Sequence, residues 1–273
     1  MARSHFGICH ICGRERKLSF EHVPPEAAFN STRIIWTAFE RLIESENLDK
    51  LQGDIQQRGA GAYTLCESCN NTTGHWYGPA YVAWAKQAMD LLLRTRGRAS
   101  LAYPFNVYPL RVLKQIVCMF FSVNNAHFQE RQKDLVRFVL NRDSREFPPA
   151  IKIYAFYTFT NRSRSIGTTG MIRGLGTGNS STHLLSEITF APFGFMMTLG
   201  NTAPPVSGLP EITSFSSFAY SDWRTGISMK LPVMPIYTGI PADYRIRDQV
   251  LADRAASAAS EAALDSFVTQ HPA

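Results

Sequence analysis

The sequence has no long apolar run. No stretch of about 18 consecutive apolar residues occurs, so no membrane-spanning helix and no membrane partner are expected. Charge of one sign is not blocked anywhere: the net charge is +6, but no basic tail carries it. A phosphate loop is missing too, since "RGLGTGNSS" lacks the Lys-Ser/Thr that ends a P-loop and reads as a hairpin loop. No internal repeat is visible. The opening "MARSHFGICHICG" is too short and too polar for a secretory core, so a reducing, cytoplasmic setting is expected. Cysteine is scarce, at 5 in 273 residues, and in that setting paired cysteines bind metal more often than they form disulfides.

What is present is enough to fold. Hydrophobic residues make up 45 % and aromatics 12 %, which supports a packed core and excludes global disorder. A pI of about 9.1 is compatible with a polyanionic partner without requiring one. The fold class expected is α+β. Residues 31–51 place Ile34, Ile35, Ala38, Leu42 and Ile43 at helical spacing, and "GDIQQRGAGAY" reads as a loop or tight hairpin. Pro79 suits the first turn of an amphipathic helix that closes at Gly97. Two further helices are expected over 108–121 and 127–141. From 151 onward "IKIYAFYTF", "HLLSEITFAPFGFMMTLG" and "GISMKLPVMPIY" read as strands, and the Ala-rich tail "RIRDQVLADRAASAASEAALDSFV" as helix. The division expected is 1–99, bearing the cysteine pairs, and 100–273, a mixed helix and antiparallel-sheet domain with recognition or regulatory duties.

Four of the five cysteines form two Cys-x-x-Cys pairs, Cys9 with Cys12 and Cys66 with Cys69. Each pair can bend into a knuckle that offers two sulfurs, and two knuckles complete a tetrahedral zinc site. Neither pair sits in the strand-to-helix βαβ setting of a thioredoxin-like redox motif. Four thiolates leave no open position on the ion, so such a zinc is structural. Cys118, in "QIVCMFFSV", reads as a core residue.

Between and after the knuckles stand an acid, a histidine and two asparagines: "EHVPP" gives Glu21 and His22, and "LCESCNNTTGHWYG" gives Asn70 and Asn71 with His75 one turn on. The order knuckle, acid-His, knuckle, Asn resembles the zinc-stapled branch of the HNH (His-Me finger) endonucleases, in particular the branch of phage recombination endonuclease VII. The resemblance covers about the first 80 residues. It implies a ββα-metal, treble-clef-like unit in which His22 is the general base and Glu21 and Asn70 hold one catalytic Mg²⁺ or Mn²⁺. It also implies a nucleic-acid partner, DNA before RNA, and a context of phage defence or mobile elements, where an activator, a regulator or an oligomer can be part of the system. The sequence departs from the family in having Glu rather than Asp at 21, Asn rather than His at 70, and no counterpart of the middle Asn in "QQRGAGAYT". Asn71 and His75, at i and i+4, are an alternative metal pair.

The chemistry stands without the family. An imidazole with a pKa near ~6.5 can take a proton from water at neutral pH. A hard cation on carboxylate and amide oxygens stabilises charge on a phosphate. The competing reading is a non-catalytic zinc module that binds nucleic acid or protein, in which Asn70 and Asn71 are caps and Glu21 and His22 are core or structural groups. RNA remains an alternative substrate. Arg94, Arg96, Arg98, Arg162, Arg164 and Arg173 read either as phosphate contacts or as ordinary structural charges. His5, His10, His127, His183 and His271 show no motif spacing.

Overall fold

The computed structural model describes residues 5–37, 53–95, 98–159, 163–173, 181–200 and 208–234. The Ala-rich tail expected to be helical lies outside the described residues, as do residues 38–52 and Arg96 and Arg162. The described chain is mixed α+β, and every named strand pair is antiparallel.

In the N-terminal part, β1 (His5–Ile8), β2 (Glu15–His22) and β5 (Gly61–Cys66) form a sheet with β2 in the middle. The turn between β1 and β2 closes through Gly13, at φ +69°, where glycine avoids the left-handed penalty. β5 runs directly into α1 (Glu67–Arg94). This corrects the expected start: α1 begins at Glu67 and carries Pro79 in its interior. Pro79 leaves the carbonyl of His75 without a helical N–H, but that side of the helix is exposed and water can serve it. The opposite side, with Tyr77, Tyr81, Trp84 and Ala88 buried, holds the helix together. A second correction concerns Ile34 and Ile35. They lie in β3 (Ile34–Trp36), paired with β4 (Asp54–Gln56), rather than in a helix. Two β-branched residues and a tryptophan favour a strand once a partner is available, and pairing overrides the local period.

In the rest of the chain, α2 (Pro109–Val123) is buried on nearly all sides, from Pro109 through Ser122 except at Arg111. A helix buried all round belongs at the centre, and α2 sits there, its polar Lys114, Gln115 and Ser122 buried too, with α1, α3 (Phe128–Arg131) and α4 (Lys133–Leu140) near it. β7 (Ile151–Tyr157), β8 (Arg164–Arg173), β9 (Ser181–Phe190) and β10 (Phe193–Leu199) form a four-stranded sheet in the order β7-β10-β9-β8. Gly194 faces Phe156 across that sheet, and a Cβ there would fall 1.9 Å from the Phe156 ring. β6 (Ser100–Val107) pairs with β11 (Arg224–Pro232). One buried cluster includes Cys9, Trp84, Phe120, Phe193 and Leu231, so the core is continuous across residue 99. Trp84 of α1 stacks on Phe193 of β10 with ring centroids 3.8 Å apart. Cys118 is buried on α2, as expected of a core residue. No described helix is long and apolar enough to cross a membrane.

Candidate metal centre and the acid-histidine site

The β1–β2 turn is a knuckle. Cys9 N–H donates to the Arg14 carbonyl and Gly13 N–H to the Cys9 carbonyl, at 3.0 and 2.9 Å. This bends Cys9 and Cys12 toward the same side. Cys66 ends β5 and precedes α1, whose first turn carries Cys69, so the second pair does sit at a strand-to-helix junction, against the expectation from sequence, although β5 runs antiparallel to β2 and the unit is not βαβ. The four Sγ atoms all lie within 4.8 Å of one another. A tetrahedron with metal–sulfur bonds of about 2.3 Å has edges of about 3.8 Å, and the Cys12–Cys66 separation is 3.9 Å. None of the four is in a disulfide. The backbone N–H of Cys66 donates to Cys9 Sγ at 3.3 Å, a bond that favours a thiolate. Cys9 is pulled down to about 4, first by the hydrogen bond from the Cys69 thiol and further by backbone N–H groups. Cys69, as the donor to Cys9, is pushed up, and burial raises Cys12. These four cysteines, three buried and Cys12 half-buried, could hold a metal ion such as zinc: one divalent cation would replace the protons that otherwise keep the four sulfurs from repelling one another.

His22 is the last residue of β2. Its Nε2 lies 2.9 Å from the carbonyl oxygen of Arg58. A carbonyl only accepts, so Nε2 donates here and Nδ1 is the ring nitrogen outside this bond. The loop that provides this carbonyl is clamped by Asn30, a residue that belongs to none of the sequence motifs. Asn30 Nδ2 donates to the Pro24 and Ala60 carbonyls at 2.6 and 2.8 Å, and its Oδ1 accepts from Ala60 N–H at 2.7 Å. Gly59, at φ +84°, lets the backbone close on Asn30, since a Cβ would sit 2.1 Å from the Asn30 carbonyl oxygen. No local signal marks Asn30, because its two bonds to Ala60 reach 30 residues along the chain.

Glu21 and His22 are neighbours on a strand and project from opposite faces. Glu21 points inward and is 8 % exposed, while His22 is half-buried on the other side. Burial pushes the Glu21 carboxyl up to about 8. Its side chain has no hydrogen-bond partner among the described residues, and its charge acts on Cys118 of α2. Asn70 lies on the first turns of α1 and is tied to β2: Nδ2 donates to Ser19 Oγ at 3.0 Å and to the Phe20 carbonyl at 3.2 Å. Both amide hydrogens are thus used and Oδ1 is left as an acceptor. Ser19 in turn donates to the Leu65 carbonyl at 3.1 Å. The N-cap of α1 is Cys66, without a side-chain cap bond, so Asn70 is a strand-to-helix tie rather than a cap. Asn71 and His75 are both exposed, and Asn71 lines a groove of about 510 Å³ with Arg16, Lys17, Cys66, Glu67 and Ser68. Two of the arginines are engaged within the protein: Arg94 pairs with Asp90 at 3.0 Å, and Arg164 with the fully buried Glu187 at 2.5 Å. His10 ties the knuckle to α2 through the Phe121 carbonyl at 3.1 Å. Comparison with family models, with curated proteins and with solved structures found no match to this chain.

Proposed function

We propose that this protein is a metal-dependent endonuclease of the HNH type, hydrolysing phosphodiester bonds of nucleic acid, DNA in the first instance. In this reading the knuckle, the β2–β5 pair and the start of α1 are a treble-clef-like ββα unit braced by zinc on Cys9, Cys12, Cys66 and Cys69. The observation that carries the reading is His22. A strand-end imidazole whose Nε2–H is held by a clamped carbonyl has its ring orientation fixed and Nδ1 as its remaining nitrogen, which is how a general base is positioned. Nδ1 takes a proton from water, the water oxygen bonds to phosphorus, and the P–O bond to the sugar oxygen breaks, that oxygen keeping the bonding pair and taking a proton from solvent. The resemblance gives Glu21 and Asn70 as the groups that would hold Mg²⁺ or Mn²⁺; they stand on the α1 side of β2, whereas His22 projects from the opposite face, so the carboxyl and the imidazole do not point the same way. Two features of the chain fit that role: an inward carboxyl without a partner among the described residues, and an amide whose hydrogens are both used so that its oxygen is left to accept. When bound, such an ion supplies charge stabilisation at the phosphate and leaving oxygen.

Plasmid nicking by the full chain across Mg²⁺ and Mn²⁺ concentrations tests this. His22→Ala is expected to lower the rate about 10²–10⁴-fold with zinc content unchanged. Glu21→Ala and Asn70→Ala are expected to need more metal and to be partly rescued by it. Wild-type protein that cuts no nucleic acid, or His22→Ala protein that cuts normally, replaces this reading with the second one. That second reading, a non-catalytic zinc module, is favoured by one observation: Glu21 is buried deeply enough to stay neutral at pH 7 as a core acid.

A further inference from the structure

The sheet face opposite α1 carries a ladder of rings that ends at His22. His5 of β1 stacks on Tyr63 of β5, with centroids 3.6 Å apart and planes 18° apart. Phe20 of β2 meets Tyr63 edge-on at 5.5 Å and meets His22 edge-on at 4.9 Å. The register builds this ladder. His5 faces Leu18 and Phe20 faces Tyr63 across the two strand pairs, and Leu18, Phe20 and His22 alternate onto one face. Gly61 makes room for it, since a Cβ there would lie 2.8 Å from the Phe20 ring. The rings cover Leu18, which is buried, but keep outward surface of their own: Tyr63 is 39 % exposed, His5 is exposed and Phe20 is half-buried. Cations stand at both ends. Arg14, just before β2, and Arg16, on the strand, are exposed at one end, and exposed Arg58 is at the His22 end; Lys17 is exposed too but projects from the other face. From Arg16 to His22 the strand runs about 20 Å.

We propose that this face binds unpaired bases of nucleic acid, stacking them on the His5–Tyr63–Phe20 ladder while the adjoining phosphate is presented to His22. The inference deepens the nuclease reading and rests on it: it names single-stranded or locally opened nucleic acid as the substrate class. Rings flanked by cations match a chain that alternates π-faces with phosphates. Bases inside a duplex are already stacked on one another and cannot use such a surface.

The test uses the full chain without added Mg²⁺ or Mn²⁺. Fluorescence anisotropy compares a labelled oligo-dT, an abasic oligonucleotide of the same length, and a blunt duplex. Wild type is expected to bind oligo-dT most tightly. Tyr63→Ala is expected to weaken oligo-dT binding by roughly 5–100-fold, with little change for the abasic strand. Arg16→Ala is expected to weaken both strands equally and to lower the salt slope by about 0.7 per lost phosphate contact. The proposal is overturned if wild type binds oligo-dT and the abasic strand alike, or if Tyr63→Ala, with normal zinc content and circular dichroism, binds oligo-dT as wild type does. Should Tyr63→Ala misfold, His5→Ala on the exposed edge strand decides by the same criterion. The two readings fail separately. Base-dependent binding without cleavage under any metal removes the hydrolysis and keeps the surface. His22-dependent cleavage that is indifferent to Tyr63→Ala and His5→Ala keeps the hydrolysis and removes the surface.

Discussion

Asn30 spends its whole side-chain amide on backbone: two carbonyls accept from Nδ2 and one N–H donates to Oδ1, all in a buried loop. Removing it leaves buried backbone groups unpaired. Asn30→Ala is expected to cost about 2–4 kcal/mol, read as a shift in the urea midpoint at constant slope. It should also slow any His22-dependent reaction, because the carbonyl of Arg58 is held by the same loop. Asn30→Asp cannot donate to the two carbonyls and should not rescue. Lys114 is the other buried polar residue with a measurable consequence. Its ammonium donates to the Phe138 and Asn141 carbonyls at the end of α4, both at 2.6 Å. Burial lowers its pKa to about 8, from an ordinary value of 10.5. Between those two values the unfolded chain binds the proton and the folded chain does not, so folding stability rises with pH there. The burial penalty is fully present below about pH 8 and is relieved toward pH 10.5, by up to about 3 kcal/mol. Urea midpoints of wild type across about pH 7 to 10, set against Lys114→Met, should show this slope in wild type alone; parallel curves would remove Lys114 as its source.

At the level of elements, the junction of β5 and α1 does most to organise the candidate centre. It delivers Cys66 and Cys69 to the knuckle and, one residue later, sets Asn70 against β2. Metal binding and folding should therefore be one event in this region. Cys66→Ser is expected to lose the bound zinc and the structure of the β1–β2–β5 unit together. Cys118→Ala should keep zinc and cost only about 1 kcal/mol for the space left in α2. Metal analysis on both variants, with near-ultraviolet circular dichroism, checks this pair. The knuckle is legible in the sequence because two residues separate the cysteines of each pair and the turn is local. The start of α1 is not, because Pro79 has the character of a first-turn residue and only the packing of the opposite, buried side keeps it inside a helix. Nor is β3: Ile34 and Ile35 satisfy a helical period, and only the partner β4 makes them a strand.

For the molecule as a whole, the core joins the cysteine-bearing part to the rest. Trp84 stacks on Phe193, Tyr81 lies 6.1 Å from Phe195, and Tyr77 donates its hydroxyl hydrogen to the Val139 carbonyl at 2.8 Å. A chain ending after residue 99 would leave those three rings of α1 uncovered. It is expected to bind zinc but to unfold without a cooperative transition and to bind an apolar dye. A sharp, reversible melt of that fragment would show that α1 needs no cover from β10 and α4. In the full chain, Trp84→Ala is expected to cost about 3–5 kcal/mol, as a large buried ring, measured by urea unfolding.

Several features follow from residue type and short spacing alone: the two cysteine pairs, the adjacent Glu21 and His22, the Asn after the second pair, the buried character of Cys118, and the mixed α+β texture. These are local, since the chemistry of a knuckle or a strand-end histidine is written within a few residues. Tertiary structure alone decided which atoms meet. It brought Asn30 to Ala60 and Arg58 to His22, turned Glu21 inward and His22 outward, tied Asn70 to Ser19, and aligned His5, Tyr63 and Phe20 through the register of three strands. Most of those contacts join residues distant in sequence, and no local pattern encodes a register, because pairing is chosen by the energy of the whole sheet and the core beneath it.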